Sequence, residues 1–282
     1  MAGVSMKDIK LRIKSMESTK QITKAMEMVA ASKLRRAQDR VANSRPYFEI
    51  LFDTLNTIAN NTEDFDSPFL AKREVQKSCF VVIGGDRGLA GGYNHNVFKL
   101  AYSQIEGKNA CVVPIGKKCL EFFRARGVEI LTEAYTVAAE VSVGDCFTLA
   151  RMLSKGFLEK EFDSVSVVYT NFVSMLSQSP GTLKLLPLEY HPKAGDTNCL
   201  TLYEPDSFTV FNTIIHEYLG GLIYGALCES VTSEHGARRT AMDAATKNAE
   251  EMISSLSLKY NRARQGAITQ EITEIVAGAN NS

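Results

Sequence analysis

Proline is absent from both ends of this chain. None of the seven prolines in the 282-residue sequence lies among the first 45 residues or the last 77 residues. Proline inside a helix removes a backbone donor and clashes with the preceding turn, so its absence permits two very long helices. All seven prolines fall between Pro46 and Pro205. The sequence therefore predicts helical termini around a centre of a different kind.

Apolar and small side chains recur in steps of three and four residues at both ends, which places them on one stripe of a helix. The N-terminal stripe comprises Ile9, Ile13, Met16, Ile22, Met26, Val29, Ala30, Leu34, Ala37 and Val41. The C-terminal stripe comprises Leu219, Leu222, Ala226, Ala237, Ala241, Ala244, Met252, Leu256, Tyr260, Ala263 and Ala267. Small side chains allow close approach of two helix axes. We predict an antiparallel coiled coil, a rod on the order of 100 Å long at ~1.5 Å per residue.

The charge distribution favours the same pairing. Lys and Arg number 32, as do Asp and Glu, so no overall field marks the chain for nucleic acid or an anionic membrane. Residues 1–45 nevertheless hold 11 basic and 4 acidic side chains, whereas residues 206–282 hold 6 basic and 9 acidic ones. We therefore expect the two ends to attract each other.

The centre of the chain alternates strand-like and helix-like segments, which predicts an α/β domain with a largely parallel, Rossmann-like sheet. Strand candidates are 79–84, 110–116, 128–131, 165–172 and 182–188, and helix candidates are 93–105, 117–126 and 143–160. The predicted domains are an N-terminal coiled-coil helix at 1–59, a linker at 60–74, the α/β domain at 75–195 and a C-terminal coiled-coil helix at 206–282.

The segment GDRGLAGGYN, residues 85–94, follows the first strand candidate and has the glycine content of a phosphate-binding turn. It lacks the Gly-Lys-Ser/Thr of a Walker loop. A dinucleotide site would also need an acidic residue at the end of the second strand, where the chain has Lys117 and Lys118. The alternative is a tight turn for close strand-to-helix packing, which the sequence favours.

Catalytic patterns are missing elsewhere. The four histidines are far apart, and neither a GxSxG nor an HExxH motif occurs. The six cysteines show no metal-ligand spacing, so we expect ordinary reduced thiols. The N-terminus has no apolar signal region, no stretch is long enough to span a membrane, and few aromatics accompany the basic residues. We predict no catalytic, metal or cofactor-binding residue and no nucleic-acid partner.

The terminal segments resemble a known family. ITKAMEMVAASKLRRAQ (22–38) and SEHGARRTAMDAATKNAEEMISSLSLKYNRARQGAITQEITEIVAGA (233–279) are similar to the terminal helices of the gamma subunit of F-type ATP synthases. DRGLAGGYN (86–94) resembles that family's DRGLCGxxN segment, with Ala90 in place of cysteine. The resemblance implies a rotating shaft inside a hexamer of alpha and beta subunits, with the α/β domain beside epsilon and the ring of c subunits. It also implies that nucleotides bind on other chains.

The resemblance further suggests which residues contact partners or affect coupling. These are Lys24, Met26, Arg35, Arg36, Arg262, Arg264, Gln265, Gln270, Thr273 and Glu274. An ordinary coiled-coil flank is the alternative for each of them. The start of the chain favours a bacterial protein, attached to the cytoplasmic face of the plasma membrane through its complex.

Two other functions stay open on the residues alone. One is a nucleotide-dependent α/β enzyme with a helical oligomerisation arm, and the other is a coiled-coil scaffold with unrelated partners. Tight nucleotide binding that depends on Gly85 or Gly88 would favour the enzyme. Co-purification with alpha, beta, epsilon and c subunits would favour the rotor.

Overall fold

A computed structural model describes residues 6–61, 67–71, 73–175, 177–188 and 203–279. The elements are α1 (Met6–Asn61), β1 (Ser78–Ile83), α2 (Tyr93–Ile105), β2 (Ala110–Ile115), α3 (Lys117–Arg124), β3 (Glu129–Ile130), α4 (Val143–Leu158), β4 (Ser164–Phe172), β5 (Gln178–Leu186) and α5 (Ser207–Ala279). They group into two compact units. The helical unit comprises Met1–Ala30 with Arg238–Ser282, and the α/β unit comprises Ala31–Ala237.

Strand order in the α/β unit is β3-β2-β1-β4-β5. The first four strands are parallel neighbours, and β5 pairs antiparallel with β4. The order 3-2-1-4 is that of a Rossmann-type sheet, in which the order of successive strands reverses between β1 and β4. Every strand and helix predicted for the centre of the chain is therefore confirmed in kind, and β5 is the antiparallel exception.

Side chains alternate between the two faces of the sheet and build two cores. On one face Val81, Ile83 and Val113 pack with residues of α4, α5 and the end of α1. On the other face Phe80, Val82 and Val112 pack with residues of α2 and α3. Because both faces are covered, the central strands read as continuous apolar runs, as buried parallel strands do.

Polar side chains begin two of the helices. Ser142 and Asp145 form a capping box at the start of α4, in which each side chain accepts the other's backbone N–H. Asp206 accepts the Thr209 N–H at 2.8 Å just before α5, and this hydrogen bond lowers the pKa of Asp206. Helix α1 continues through Pro46, which lies on its exposed side and lacks an N–H to donate to the preceding turn.

In the helical unit, α1 and α5 pair antiparallel. The hydroxyls of Thr23 and Thr246 are 2.8 Å apart, and Lys20 Nζ is 2.9 Å from Glu250 Oε1. A step of three residues up α1 thus corresponds to a step of four down α5. The predicted antiparallel pairing of the two terminal helices is confirmed.

The predicted stripe was wrong in detail. Ile22, Val29 and Met252 were assigned to it but are 58%, 56% and 55% exposed. Ala30, also assigned to the stripe, is buried as predicted, and the buried positions that the stripe omitted are Thr23 on α1 and Met242, Thr246 and Ala249 on α5. Because small residues and paired hydroxyls occupy much of the contact line, Ile22, Val29 and Met252 face outward.

Charge complementarity does not explain the pairing in the helical unit. Residues 6–30 carry six basic and three acidic side chains, and residues 238–279 carry six basic and five acidic ones. The excess acid of the C-terminal segment lies before residue 238, in the α/β unit. Since both segments are net positive, burial of small side chains and the Thr23–Thr246 bond favour the pairing instead.

Some sequence predictions fall outside the described residues. The predicted linker at 60–74 includes 62–66 and 72, and the end of the predicted α/β domain at 75–195 includes 189–195. Cys199 also lies outside. The domain boundaries stay predictions. Among the helices that the structure describes, none carries an apolar stretch suited to crossing a membrane.

The Thr23–Thr246 bond provides a test of the pairing. Each hydroxyl also lies near a carbonyl of its own helix, Lys20 O at 3.1 Å and Met242 O at 2.8 Å. Replacing either threonine by valine leaves the other without its cross-helix partner, whereas replacing both removes the mismatch. We expect the double-mutant cycle for Thr23→Val and Thr246→Val to give a coupling of about 0.5–1.5 kcal/mol in urea unfolding of the full chain.

Thr19 supplies the control for this cycle. It is exposed, and its hydroxyl donates to Ser15 O of the same helix at 3.0 Å. Thr19→Val combined with Thr246→Val should be additive. Additivity of Thr23→Val with Thr246→Val as well would contradict the observed pairing.

Candidate functional site

The glycine-rich segment 85–94 closes on itself at the carboxyl end of β1. The Gly85 N–H donates to Asn94 Oδ1 at 2.8 Å, and Asn94 Nδ2 donates to the Arg87 carbonyl at 3.3 Å. Asn94 lies in the first turn of α2, so its amide ties the strand end to the helix start. A backbone N–H that a phosphate cradle would present to a ligand is thus bound within the turn.

Asp86 connects this turn to two other loops. Its carboxylate accepts the backbone N–H groups of Ala138 at 2.9 Å, and of Lys117 and Ala139 at 3.3 Å. Gly116 lies at φ 98°, and a Cβ there would lie 2.4 Å from the Gly84 carbonyl oxygen. Only glycine allows the ends of β1 and β2 to approach so closely. The acidic residue of the motif therefore organises the protein backbone.

Helix α5 fills the crevice between the carboxyl ends of β1 and β4. The Thr170 N–H donates to Ser230 Oγ at 3.0 Å, and Ser233 Oγ donates to the Thr170 carbonyl at 3.1 Å. Glu234 is buried, and a Cβ on Gly85 would lie 2.9 Å from its Cδ. Open α/β sheets bind their ligands in this crevice. Here three side chains of the protein's own helix occupy it, which argues against the nucleotide enzyme.

The described residues also form no metal site. Across the ranges that the structure covers, no group of three His, Cys, Asp or Glu side chains is placed to hold a metal ion. A half-buried histidine takes part in packing instead. His216 contacts Phe69 edge-on, with ring centroids 5.9 Å apart, and burial lowers the pKa of its imidazole.

The residues expected to contact partners lie on the surface, and most of them belong to the helical unit. Lys24, Arg262, Arg264, Gln265, Gln270, Thr273 and Glu274 are exposed, and Met26 is half-buried. Arg35 and Arg36 are exposed on α1 within the α/β unit. The structure joins Gln270 to Glu274, since Gln270 Nε2 donates to Glu274 Oε1 at 2.9 Å. Among the described residues, no hydrogen bond joins any two of the other predicted contact residues to each other.

Lys24 has a defined partner beside Met26. Its ammonium donates to Glu27 Oε2 at 2.9 Å, and this hydrogen bond raises the pKa of Lys24. The Glu27 side chain is 14% exposed, against 55% for Lys24. The ion pair is on the surface and weakly held, so an acidic group on a partner could compete for Lys24.

Sequence reasoning missed most of the apolar surface of the helical unit. Eleven large apolar side chains are exposed there: Met6, Leu11, Ile22, Met28, Val29, Met252, Leu258, Ile268, Ile272, Ile275 and Val276. Single exposed apolar residues are normal, but such a number in one unit indicates a surface that other proteins cover. A signal for two of them is present on α1, where Ile22 and Val29 each directly precede a small residue, Thr23 and Ala30, that lies at the contact line.

These features define a class of protein before any comparison: a chain with one unit of two antiparallel helices and one Rossmann-type unit whose ligand crevice is filled. The family model described as ATP synthase matches residues 5–281.

Relatives agree over nearly the whole length. The chain is 44% identical to the ATP synthase gamma chain of Ruminococcus albus over 282 residues, with 98% of each chain covered. It is 43% identical to that of Alkaliphilus metalliredigens over 286 residues, and 39% identical over 295 residues to the sodium ion specific gamma chain of Acetobacterium woodii, again with 98% of each chain covered.

Solved structures show the same fold. A rotational state of the Euglena gracilis mitochondrial ATP synthase, containing OSCP, F1 and the c-ring, matches 98% of this chain and 93% of the matched chain, with a TM-score of 0.66 at 18% identity. The central stalk and c-ring of the Tetrahymena thermophila enzyme match 79% of this chain and 99% of the matched chain, with a TM-score of 0.59 at 21% identity. The chain belongs to the ATP synthase gamma chain family, whose members are noncatalytic subunits.

The Asp86 junction leads to a stability prediction. Asp86→Ala leaves three backbone N–H groups without their acceptor and should lower the free energy of unfolding of the full chain by about 1–3 kcal/mol. Asp86→Asn, which keeps one acceptor oxygen, should lose less. Arg87→Ala is the control, because the Arg87 side chain is exposed and its carbonyl remains. Equal urea midpoints for Asp86→Ala and Arg87→Ala would contradict this role of the carboxylate.

Proposed function

We propose that this chain is the central-stalk rotor subunit of a bacterial ATP synthase. In this role it couples ion flow through the c-ring to ATP synthesis or hydrolysis at sites on the beta subunits. The proposal is supported by relatives at 39–44% identity that are gamma chains, and by structural neighbours that are ATP synthase central-stalk assemblies. Its partners would be alpha and beta subunits, the epsilon subunit and the c-ring.

The observation that carries the proposal is the combination of a sealed crevice and an exposed apolar helical unit. A rotor has no need of a nucleotide site of its own. It needs a stiff pair of helices whose surface can rotate against the surrounding subunits without forming a persistent contact. The end of α5 suits such a bearing, because Ile268, Ile272, Ile275 and Val276 are exposed and only Glu271 and Glu274 carry charge in that stretch.

The chain would transmit energy mechanically. Rotation of an asymmetric shaft presents different side chains to the three beta subunits in turn, and differential contact shifts each site between states of different nucleotide affinity. Lys24, Arg35, Arg36, Arg262, Arg264 and Gln265 would supply transient polar contacts to acidic loops of beta. Near the end of α5, the surrounding alpha and beta subunits would contact Gln270, Thr273 and Glu274.

Location follows from this assembly. The complex is bound to the membrane, and we place this subunit on the cytoplasmic face of the bacterial plasma membrane, attached through its partners. The coupling ion can be H⁺ or Na⁺, since the Acetobacterium woodii relative is described as sodium ion specific.

Met26 provides the test of coupling. Met26→Lys adds a long cation on α1, in the same stretch as the Lys24–Glu27 ion pair, where it can bind an acidic loop of beta. A persistent ion pair between this lysine and the beta subunit would weaken the coupling between ATP hydrolysis and ion transport. In inverted vesicles containing the whole complex, we expect ATP hydrolysis to continue while ions transported per ATP fall several-fold.

Met28→Lys is the matched control, because Met28 is 60% exposed and lies two residues further along the same helix. It should reduce the ratio less than Met26→Lys does. An unchanged ratio in Met26→Lys, with the complex intact, would contradict the role assigned to Met26. An equal fall of the ratio in the two variants would show that any added charge at this surface has the effect, and would contradict a specific role of Met26.

A further inference from the structure

Two cysteines face each other inside the sheet of the α/β unit. Cys79 of β1 and Cys111 of β2 are Cα partners in the parallel ladder. Both are fully buried and belong to the same core, so their side chains lie on the same face of the sheet. Neighbouring strands are about 4.8 Å apart, which falls within the roughly 4.4–6.8 Å between Cα atoms that a disulfide spans. The register and spacing of the two strands are therefore compatible with a disulfide between Cys79 and Cys111.

The two thiols differ in acidity. The Cys79 thiol donates a hydrogen bond to Cys111, which lowers the pKa of Cys111 and raises the pKa of Cys79. The positive charge of Lys77 lowers the pKa of both thiols. The ammonium of Lys77 is held at 2.8 Å from Glu129 Oε1, and Glu129 is the Cα partner of Cys111 on β3.

The other described cysteines lack this arrangement. Burial raises the pKa of Cys119, and its thiol donates to the Val82 carbonyl at 3.2 Å. Burial raises the pKa of Cys146 to about 12 and also raises the pKa of Cys228. Among the cysteines that the structure describes, Cys111 alone has a lowered thiol pKa, so it would supply the nucleophilic thiolate.

We propose that Cys79 and Cys111 form a redox-active dithiol, which a peroxide oxidises to a disulfide joining β1 and β2. The Cys111 thiolate attacks one peroxide oxygen, the O–O bond breaks, and a sulfenic acid forms with release of hydroxide. The Cys79 sulfur then attacks the Cys111 sulfur. An S–S bond forms, the S–O bond breaks, and the leaving hydroxyl takes the Cys79 proton to become water. Two electrons pass from the thiols to the peroxide, and a dithiol reductant reverses the reaction.

The sheet edge nearest to Cys111 is strand β3. This strand has only two residues, Glu129 and Ile130, and forms the edge of the sheet next to β2. The Glu129 side chain is 53% exposed and the Lys77 side chain 26% exposed. Local opening of so short an edge strand requires few hydrogen bonds to break and admits a molecule of about the size of water.

The test uses the full chain. Reduced protein is exposed to hydrogen peroxide, quenched with acid, alkylated under denaturing conditions and digested without reductant. Mass spectrometry should find the peptides of Cys79 and Cys111 joined, with the loss of two hydrogen atoms, while Cys146 and Cys228 are alkylated. Dithiothreitol should restore the separate peptides. Recovery of both cysteines in alkylated form after peroxide, or joined to other cysteines, would overturn the proposal.

Single variants identify the order of attack. In Cys79→Ala, a dimedone probe should label the sulfenic acid trapped at Cys111, whereas in Cys111→Ala it should leave Cys79 unlabelled. Lys77→Met should slow the labelling of Cys111 in the Cys79→Ala background, with Lys108→Met as the exposed control. Labelling of Cys79 instead of Cys111 would overturn the assigned roles. These readouts need no other subunit, so they stand apart from the rotor proposal.

Discussion

Burial of helix α5 against the sheet is the interaction on which the α/β unit depends. Phe211, Ile215, Leu219 and Ile223 are at most 1% exposed and lie in the same core as the central strands. Each such side chain stabilises the folded state by about 1.5–3 kcal/mol relative to exposure. The next turns of the helix place Ser230, Ser233 and Glu234 across the end of the sheet. The helix that completes the core thus also fills the crevice. The Rossmann-type sheet, which binds nucleotides in other proteins, here supports helix α5.

The helical unit shows the opposite balance. Its contact line uses Ala30, Ala249 and a pair of threonines, which bury little apolar area but allow close approach. The larger side chains, such as Ile22, Val29 and Met252, face outward. A free protein gains little from that arrangement, because exposed apolar area opposes solubility. The arrangement is understandable in an assembly where other chains surround the helices.

The elements of the α/β unit could be predicted because their apolar runs and turns are local signals. Tyr93–Ile105 was predicted with the same bounds as α2, and the strand runs lie within a few residues of β1 to β5. The side of α1 that faces α5 could not be predicted equally well. A stripe of three- and four-residue steps fits Ile22 as well as Thr23, and it admitted both Val29 and Ala30; only the partner helix distinguishes the buried member of each pair. The net charge of a whole segment was also a poor guide, since the negative charge of 206–282 comes from residues 206–237, which hold four acidic and no basic side chains.

For the candidate sites, too, part could be predicted from the sequence and part could not. The sequence alone argued against a phosphate cradle, because the required lysine, hydroxyl and second-strand acid are missing. It could not show that Asp86 binds three backbone amides or that Glu234 lies against Gly85, since these contacts join residues 31 to 149 positions apart. The Cys79–Cys111 pair escaped the spacing rules for the same reason. The register of two parallel strands, and no sequence motif, brings the thiols together.

The central claim is that this chain turns within its complex, and single-molecule observation tests it most directly. Lys108→Cys, in the exposed turn between α2 and β2, would carry a gold rod, with Cys199 replaced by serine and the alpha–beta hexamer fixed to a surface. We predict that ATP drives the rod in one direction with three stops per turn. A rod that stays fixed or fluctuates without direction, while the same complexes hydrolyse ATP, would contradict the account.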